Sequence, residues 1–278
     1  KMMVKRRFMD VPGGQIHYRE AGSPDSPKLM LLHASPGSSK QLELLAGSLG
    51  DNFHVIAPDT LGNGDSMAPL QQQPEIADYA AAMITFADGL GWTNFHLYGT
   101  HTGARIATWL ALNEGERVNR LILDGFGLYT PQSLDQILNV YAPNIVPDTQ
   151  GLHVLQAWQL CRDQYIWFPW FRKEAERRVP HDLPDAEFLH NKFVEVIKGI
   201  HTYHKSYLAA FRYSMRHFVP QISHQTMITC SENDLVRPDY EEARRLLAGA
   251  KSCLTPGVRT PEAALGTASA FTQFLLND

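Results

Sequence analysis

Asn94-Phe95-His96-Leu97-Tyr98-Gly99-Thr100-His101-Thr102-Gly103-Ala104-Arg105-Ile106-Ala107-Thr108-Trp109-Leu110-Ala111-Leu112 is the stretch on which the fold turns. Its first five residues read as a short, largely apolar strand, and Ala104 to Leu112 carries apolar side chains at helical spacing. Gly99 and Gly103 flank Thr100-His101-Thr102, so the strand can turn sharply into the helix, with one residue held in a strained conformation and its side chain projecting. That residue is His101.

Working outward, Lys28 to Leu32 is an apolar strand that ends in His33-Ala34-Ser35-Pro36-Gly37. Val55-Ile56-Ala57-Pro58-Asp59 is the next strand and runs into Thr60-Leu61-Gly62-Asn63-Gly64-Asp65-Ser66. Ahead of these, strands are expected near Arg7 to Val11 and Gln15 to Glu20, joined by a turn at Pro12-Gly13-Gly14. Helices are expected over Ser39 to Leu49, Pro74 to Leu90 and His101 to Leu112. Arg120 to Gly125 reads as the strand after the turn, Thr226 to Ser231 as the strand that resumes the core, and Lys251 to Leu254 as the last strand. Between the core strands lies an insertion, roughly Thr130 to Val219, with helical patterning and many aromatic residues, among them Trp158, Tyr165, Trp167, Phe168, Trp170 and Phe171.

The 278 residues, 44% hydrophobic and 19% charged, are enough for one sizeable core. A formal net charge of −4 and the absence of a basic stripe argue against nucleic acid as a partner. No apolar run reaches the length needed to cross a membrane. Cys161, Cys230 and Cys253 are odd in number and widely spaced, which points to a reducing compartment rather than a disulfide framework. The basic start, Lys1 to Phe8, lacks the apolar stretch of a secretory signal, so a cytoplasmic location is expected. No His/Cys/Asp cluster has metal-ligand spacing and no glycine-rich phosphate cradle precedes a helix with a suitable lysine, so neither metal nor cofactor is expected.

Gly99-Thr100-His101-Thr102-Gly103 resembles the nucleophile elbow of the α/β-hydrolase superfamily, with histidine where serine, cysteine or aspartate is usual. Asp59-Thr60-Leu61-Gly62-Asn63-Gly64-Asp65-Ser66 is similar to a turn common in the epoxide-hydrolase and haloalkane-dehalogenase-like branch. The resemblance spans nearly the whole chain. It implies a mostly parallel central sheet flanked by helices, in two core segments (1–129 and 220–278), with a helical cap (130–219) over the site. It also implies that the loop after Leu32 supplies an oxyanion-hole amide from Ala34, beside that of Thr102. Ser231-Glu232-Asn233-Asp234-Leu235-Val236-Arg237-Pro238 resembles the acid-bearing loop, with Asp234 in the expected place. The usual histidine is missing. After the last strand stands Thr255-Pro256-Gly257-Val258-Arg259-Thr260-Pro261, with Arg259 the nearest polar substitute, and no histidine follows His224.

Two departures together suggest a collapsed triad. A serine at position 101 would lack a base, whereas an imidazole there can itself be the base, oriented by a nearby carboxylate. The catalytic candidates are therefore His101, Asp234 and Asp124, the last because it ends the strand after the elbow, where some relatives place their acid. His33, Ser35, Thr100, Trp167, Trp170, His204 and Arg259 are candidates for the substrate pocket. Single cap aromatics at helical spacing usually fill seams, but together they imply a largely apolar chamber for a small organic molecule.

Three functions remain open. The preferred one is a cofactor-independent hydrolase of a small, largely apolar ester, lactone or activated carbon-carbon bond, with His101 as general base or nucleophile. The second is a cofactor-free lyase, decarboxylase, isomerase or cyclase that uses His101 for proton transfer. The third is a ligand-binding member without catalysis. Oligomeric state is open, a homodimer included.

Overall fold

Residues 3–277 are described by a computed structural model of the chain. Among them, eight strands form one sheet: β1 (Lys5–Val11), β2 (Gly14–Ala21), β3 (Lys28–Leu32), β4 (His54–Pro58), β5 (Phe95–Thr100), β6 (Val118–Asp124), β7 (Thr226–Ser231) and β8 (Lys251–Thr255). Their spatial order is β1-β2-β4-β3-β5-β6-β7-β8. The first hairpin is antiparallel, β2 pairs antiparallel with β4, and every pairing from β4 through β3 to β8 is parallel.

The parallel strands need crossover helices, and these cover both faces. α1 (Glu43–Leu49) and the C-terminal α10 (Pro261–Asn277) cover one face, while α2 (Ile76–Gly89) and α3 (Thr102–Asn113) cover the other. Strand alternation feeds the two layers: Leu29 and Leu31 of β3 pack with α1 and α10, and Met30 and Leu32 pack with α2 and α3. Burial on both sides explains why β3, β4 and β5 read as near-continuous apolar runs rather than alternating ones.

Between β6 and β7 lie α4 (Pro131–Val140), α5 (Leu152–Asp163), α6 (Ala186–Lys198), α7 (Tyr203–Arg212) and the short α8 (Met215–Phe218), with α9 (Tyr240–Ala243) following β7. The longer ones share two small apolar clusters, one around Ile145, Ala157, Leu160, Ile200 and Tyr203 and one around Ile137, Tyr141 and Phe211. Some expected bounds shift. The helix expected over Ser39 to Leu49 opens as a 3₁₀ turn over Ser39–Leu42, and the one expected from Pro74 begins at Ile76. Neither α9 nor α10 was anticipated. No helix among the described residues is long and apolar enough to cross a membrane.

The crossing of β5 into α3 depends on two absent β-carbons. One built on Gly99 would lie 2.2 Å from the Gly103 carbonyl oxygen, and one on Gly103 would lie 2.1 Å from the Leu32 carbonyl oxygen. Both obstacles are backbone atoms, which cannot swing aside. We expect Gly99→Ala to cost about 2–3 kcal/mol by overpacking, lowering Tm by about 4–12 °C for a chain of this size. Thermal unfolding checks this, and an unchanged Tm would mean the turn has slack that these distances deny.

Candidate active site

His101 opens α3 with φ 50° and ψ −106°, the one positive φ at a non-glycine residue among those described. Strain of this kind survives only where surrounding structure over-determines it. Here the His101 amide donates to the Asp124 carbonyl (3.1 Å), the Gly103 amide donates to the His33 carbonyl (3.1 Å), and the Arg105 guanidinium donates to the His101 carbonyl (3.0 Å). The imidazole is thereby thrust into a cavity of about 720 Å³.

In that cavity His101 Nε2 lies 2.9 Å from Asp234 Oδ2. Asp234 is itself fixed, since its other oxygen accepts from the Val236 amide at 2.9 Å. A carboxylate partner makes Nε2 the protonated nitrogen, which leaves the Nδ1 lone pair free. The imidazole keeps 32% of its side-chain surface exposed and Asp234 only 14%. Burial opposes charge on His101, but the Asp234 charge and hydrogen bond, with a further contribution from Asp124, outweigh it and raise the imidazole pKa. Burial likewise works against the Asp234 carboxylate, and His101 reverses it, so the acid lies below its usual range.

Asp124 occupies a different position. It accepts from the Tyr98 hydroxyl at 2.6 Å, and His101 meets it only through the backbone. Burial pushes its carboxyl up to about 6, and repulsion from Asp234 adds to the rise while the Tyr98 hydrogen bond opposes it. Gly125 was not singled out from the sequence, yet a β-carbon there would sit 2.7 Å from Asp234 Oδ2 and 3.2 Å from His101 Nε2. Its φ of +53° and its bare Cα make room for the pair.

Ala34, Ser35, Thr100, Thr102 and Arg259 also line the cavity. As the first residue of α3, Thr102 has an amide with no intrahelical acceptor. His33, Trp167, Trp170 and His204, expected in the pocket, are not on its wall. His33 is fully buried with Nδ1 donating to the Ala34 carbonyl (2.8 Å) and Nε2 accepting from the Thr60 amide (3.0 Å), so it braces the loop. Trp170 donates to the Tyr141 carbonyl (2.8 Å) and packs among the helices. Trp167 carries the Lys173 ammonium on its ring, and His204 packs edge-on against Tyr203. The aromatic wall is instead Tyr129, Tyr141, Tyr165, Phe168, Phe188, Tyr207 and Phe211. Sequence reasoning also missed Lys192 and Glu195, because polar residues on a helix carry no mark of which face meets a cavity.

The helical layer grips the loop that carries Ala34. Ser35 Oγ is 2.8 Å from Ser206 Oγ, Ser38 donates to Glu195, and Lys192 donates to the Pro36 carbonyl. Away from the cavity, His17, Asp59 and Asp65 bring three ligand-type atoms within 4.8 Å of one another. Protein groups already engage them: Asp59 accepts from Ser39 and the Asp65 amide and contacts His17, while Arg6 and Lys198 hold Asp65.

One outcome is expected. With its folded pKa of about 6 above the ordinary 3.8, Asp124 adds stability that is complete below about pH 4 and lost as pH rises through 6. Asp124→Asn keeps an acceptor for Tyr98 and should gain on the wild type by up to about 2 kcal/mol between pH 4.5 and 7.5, measured by denaturant unfolding at both values. A difference independent of pH would contradict the assignment.

The family model described as alpha/beta hydrolase fold matches residues 27–153. The chain is 31% identical over 117 residues to haloalkane dehalogenase 2 of Mycobacterium tuberculosis, a match covering 42% of this chain and 40% of that one. It is 26% identical over 198 residues to epoxide hydrolase 4 of Homo sapiens, covering 70% and 46% respectively. The matched stretches thus span less than half the length of either relative. A hydrolase from Pseudomonas aeruginosa superposes with a TM-score of 0.75 at 18% identity over 98% of both chains, a likeness of fold. Sheet order, elbow geometry and these similarities agree: the chain has the α/β-hydrolase fold, and its sequence is similar to members of the branch that includes the haloalkane dehalogenases and epoxide hydrolases.

Proposed function

We propose that the chain is a hydrolase of a small, largely apolar carbonyl compound, an ester, lactone or activated carbon-carbon bond, in which His101 is the base. The observation that carries this is the 2.9 Å contact from His101 Nε2 to Asp234, which leaves the other ring nitrogen as a proton acceptor in a cavity large enough for an organic substrate. Nδ1 takes a proton from water as that water attacks the carbonyl carbon. Negative charge gathers on the carbonyl oxygen, and in this reading the Ala34 and Thr102 amides receive it. The imidazolium, stabilised by Asp234, then returns the proton to the leaving group. Direct attack by Nδ1 would instead make His101 the nucleophile: the leaving group departs as an anion, and water opens the acyl-imidazole to the acid, whose proton goes to that anion. The helices between β6 and β7 serve in this reading as a cap, since Tyr165, Phe168 and Phe188 from that layer restrict water at the site.

A second reading has one specific observation in its favour. Asp124, with its carboxyl near 6, offers a proton close to a base that accepts one, a pairing suited to a lyase or isomerase. Products formed in ¹⁸O-water separate the two, because hydrolysis alone leaves solvent oxygen in the product.

Activated esters and lactones should be turned over by the wild type and not by His101→Ala, with kcat/KM falling on the order of 10³-fold or more. His101→Ser should be equally inactive, having no base in reach. Turnover retained in both variants, with products identified by mass, would sink the proposal. Because the imidazole pKa is raised, kcat/KM should climb with pH through an inflection above the ordinary 6.5 and then level off. Asp234→Asn should lower that inflection and reduce turnover by on the order of 10²–10⁴-fold, since an asparagine amide donating to Nε2 forces the proton onto Nδ1.

A further inference from the structure

We infer that the cavity carries a carboxylate-binding subsite formed by Lys192 and Arg259, so that the substrate is an acid-bearing carbonyl compound rather than a wholly apolar one. The inference rests on the hydrolase reading above and names the substrate class of the same site.

It begins with the charges on the cavity wall. Its carboxylates Asp234, Asp124, Glu195 and Glu43 are held within the chain by His101, Tyr98, Lys198 and Lys40. Two cations on the same wall have no such partner: among the described residues neither Lys192 nor Arg259 has a carboxylate within 4 Å. Arg105 also lines the cavity, but its guanidinium is spent on the carbonyls of His101 and Gly127.

Arg259 stands on the loop after β8, at the place where the resemblance leads one to expect a histidine. Its guanidinium carbon lies 5.2 Å from the Tyr165 ring centroid and 5.4 Å from that of Phe188. Rings take up the flat faces of a guanidinium and leave the N–H donors at its edge, the fork that matches a carboxylate. Lys192 stands on α6 beside the Ala34 loop. One of its ammonium protons goes to the Pro36 carbonyl, which leaves two. Burial lowers the ammonium to about 8, and the charge of Arg259 adds to that lowering, so the two cations share one electrostatic environment. The Arg259 charge also reaches Asp234 and helps hold it ionised. A carboxylate between the two cations would relieve their repulsion, and it would anchor a substrate whose carbonyl lies toward His101. An apolar cavity of this kind gains orientation from a few well-placed polar groups.

A matched pair of esters tests this. Mono-4-nitrophenyl glutarate and 4-nitrophenyl pentanoate differ in a carboxylate for a methyl group at the chain end. The ratio of their kcat/KM values should exceed about 10 in the wild type and fall at least about tenfold in Arg259→Gln and in Lys192→Gln. Loss of structure in a variant would slow both esters alike and leave the ratio unmoved. A wild-type ratio near one overturns the subsite, as does a ratio that neither variant changes. If the wild type turns over neither ester, the hydrolase reading fails for this class and calorimetric titration decides the subsite on its own. Benzoate binding at least about tenfold tighter than benzamide, with the preference reduced in Arg259→Gln, supports it; equal binding overturns it.

Discussion

The backbone of this protein crosses itself at one place with no room for a side chain, and the site is organised around that crossing. Gly99 and Gly103 let the β5 turn pass under the carbonyls of Leu32 and of Gly103 itself. This contact sets the position of α3, whose first residue presents its amide beside the Ala34 loop and whose preceding residue is forced to positive φ. A side chain in that conformation has no choice of direction. His101 therefore enters the cavity for steric reasons, and its partner is then chosen by what the neighbouring loops bring near. Gly125 completes the arrangement by leaving open the space in which imidazole and carboxylate meet.

Electrostatics follows from that geometry. Two carboxylates and one imidazole share a poorly solvated space, and one imidazolium can balance only one negative charge at short range. Asp234, in direct contact, is the carboxylate that stays ionised. Asp124 is left with the weaker help of a phenol and with the repulsion of its neighbour, so it is the one that holds a proton toward neutral pH. The two acids therefore differ in role through their positions and not through their chemistry, the general way in which one site keeps both a base and an acid.

The sequence made the frame legible because glycine spacing and apolar strands are local signals. The elbow, the strand order around it and Asp234 could all be found from short motifs. Asp124 could be named but not separated from Asp234, since choosing between them needs a distance across 133 and 23 residues of chain. His33 was expected to organise the Ala34 loop and was also placed in the pocket; the first holds, but the Thr60 amide pulls its ring away from the wall. Trp167, Trp170 and His204 shared the aromatic character of the true wall residues but not their direction. α10 escaped notice because the first half of its buried face is Ala264, Thr267 and Ala268, small residues that give little periodic contrast before Phe271, Phe274 and Leu275. Lys192 had no signal at all, being one lysine on a helix until the fold brings it to the Pro36 carbonyl.

The helical layer is attached to the Ala34 loop by three side chains, from Ser206, Glu195 and Lys192. Under the proposed function, selectivity and transition-state stabilisation are consequently not separable modules. Residues that shape the chamber from above are mechanically joined to the segment that would hold the oxyanion below, so a change made to admit a different substrate also displaces an amide. Divergence along this lineage should therefore proceed by paired substitutions across that seam, and a helical layer exchanged wholesale from another scaffold would arrive without the ties that register it to the core.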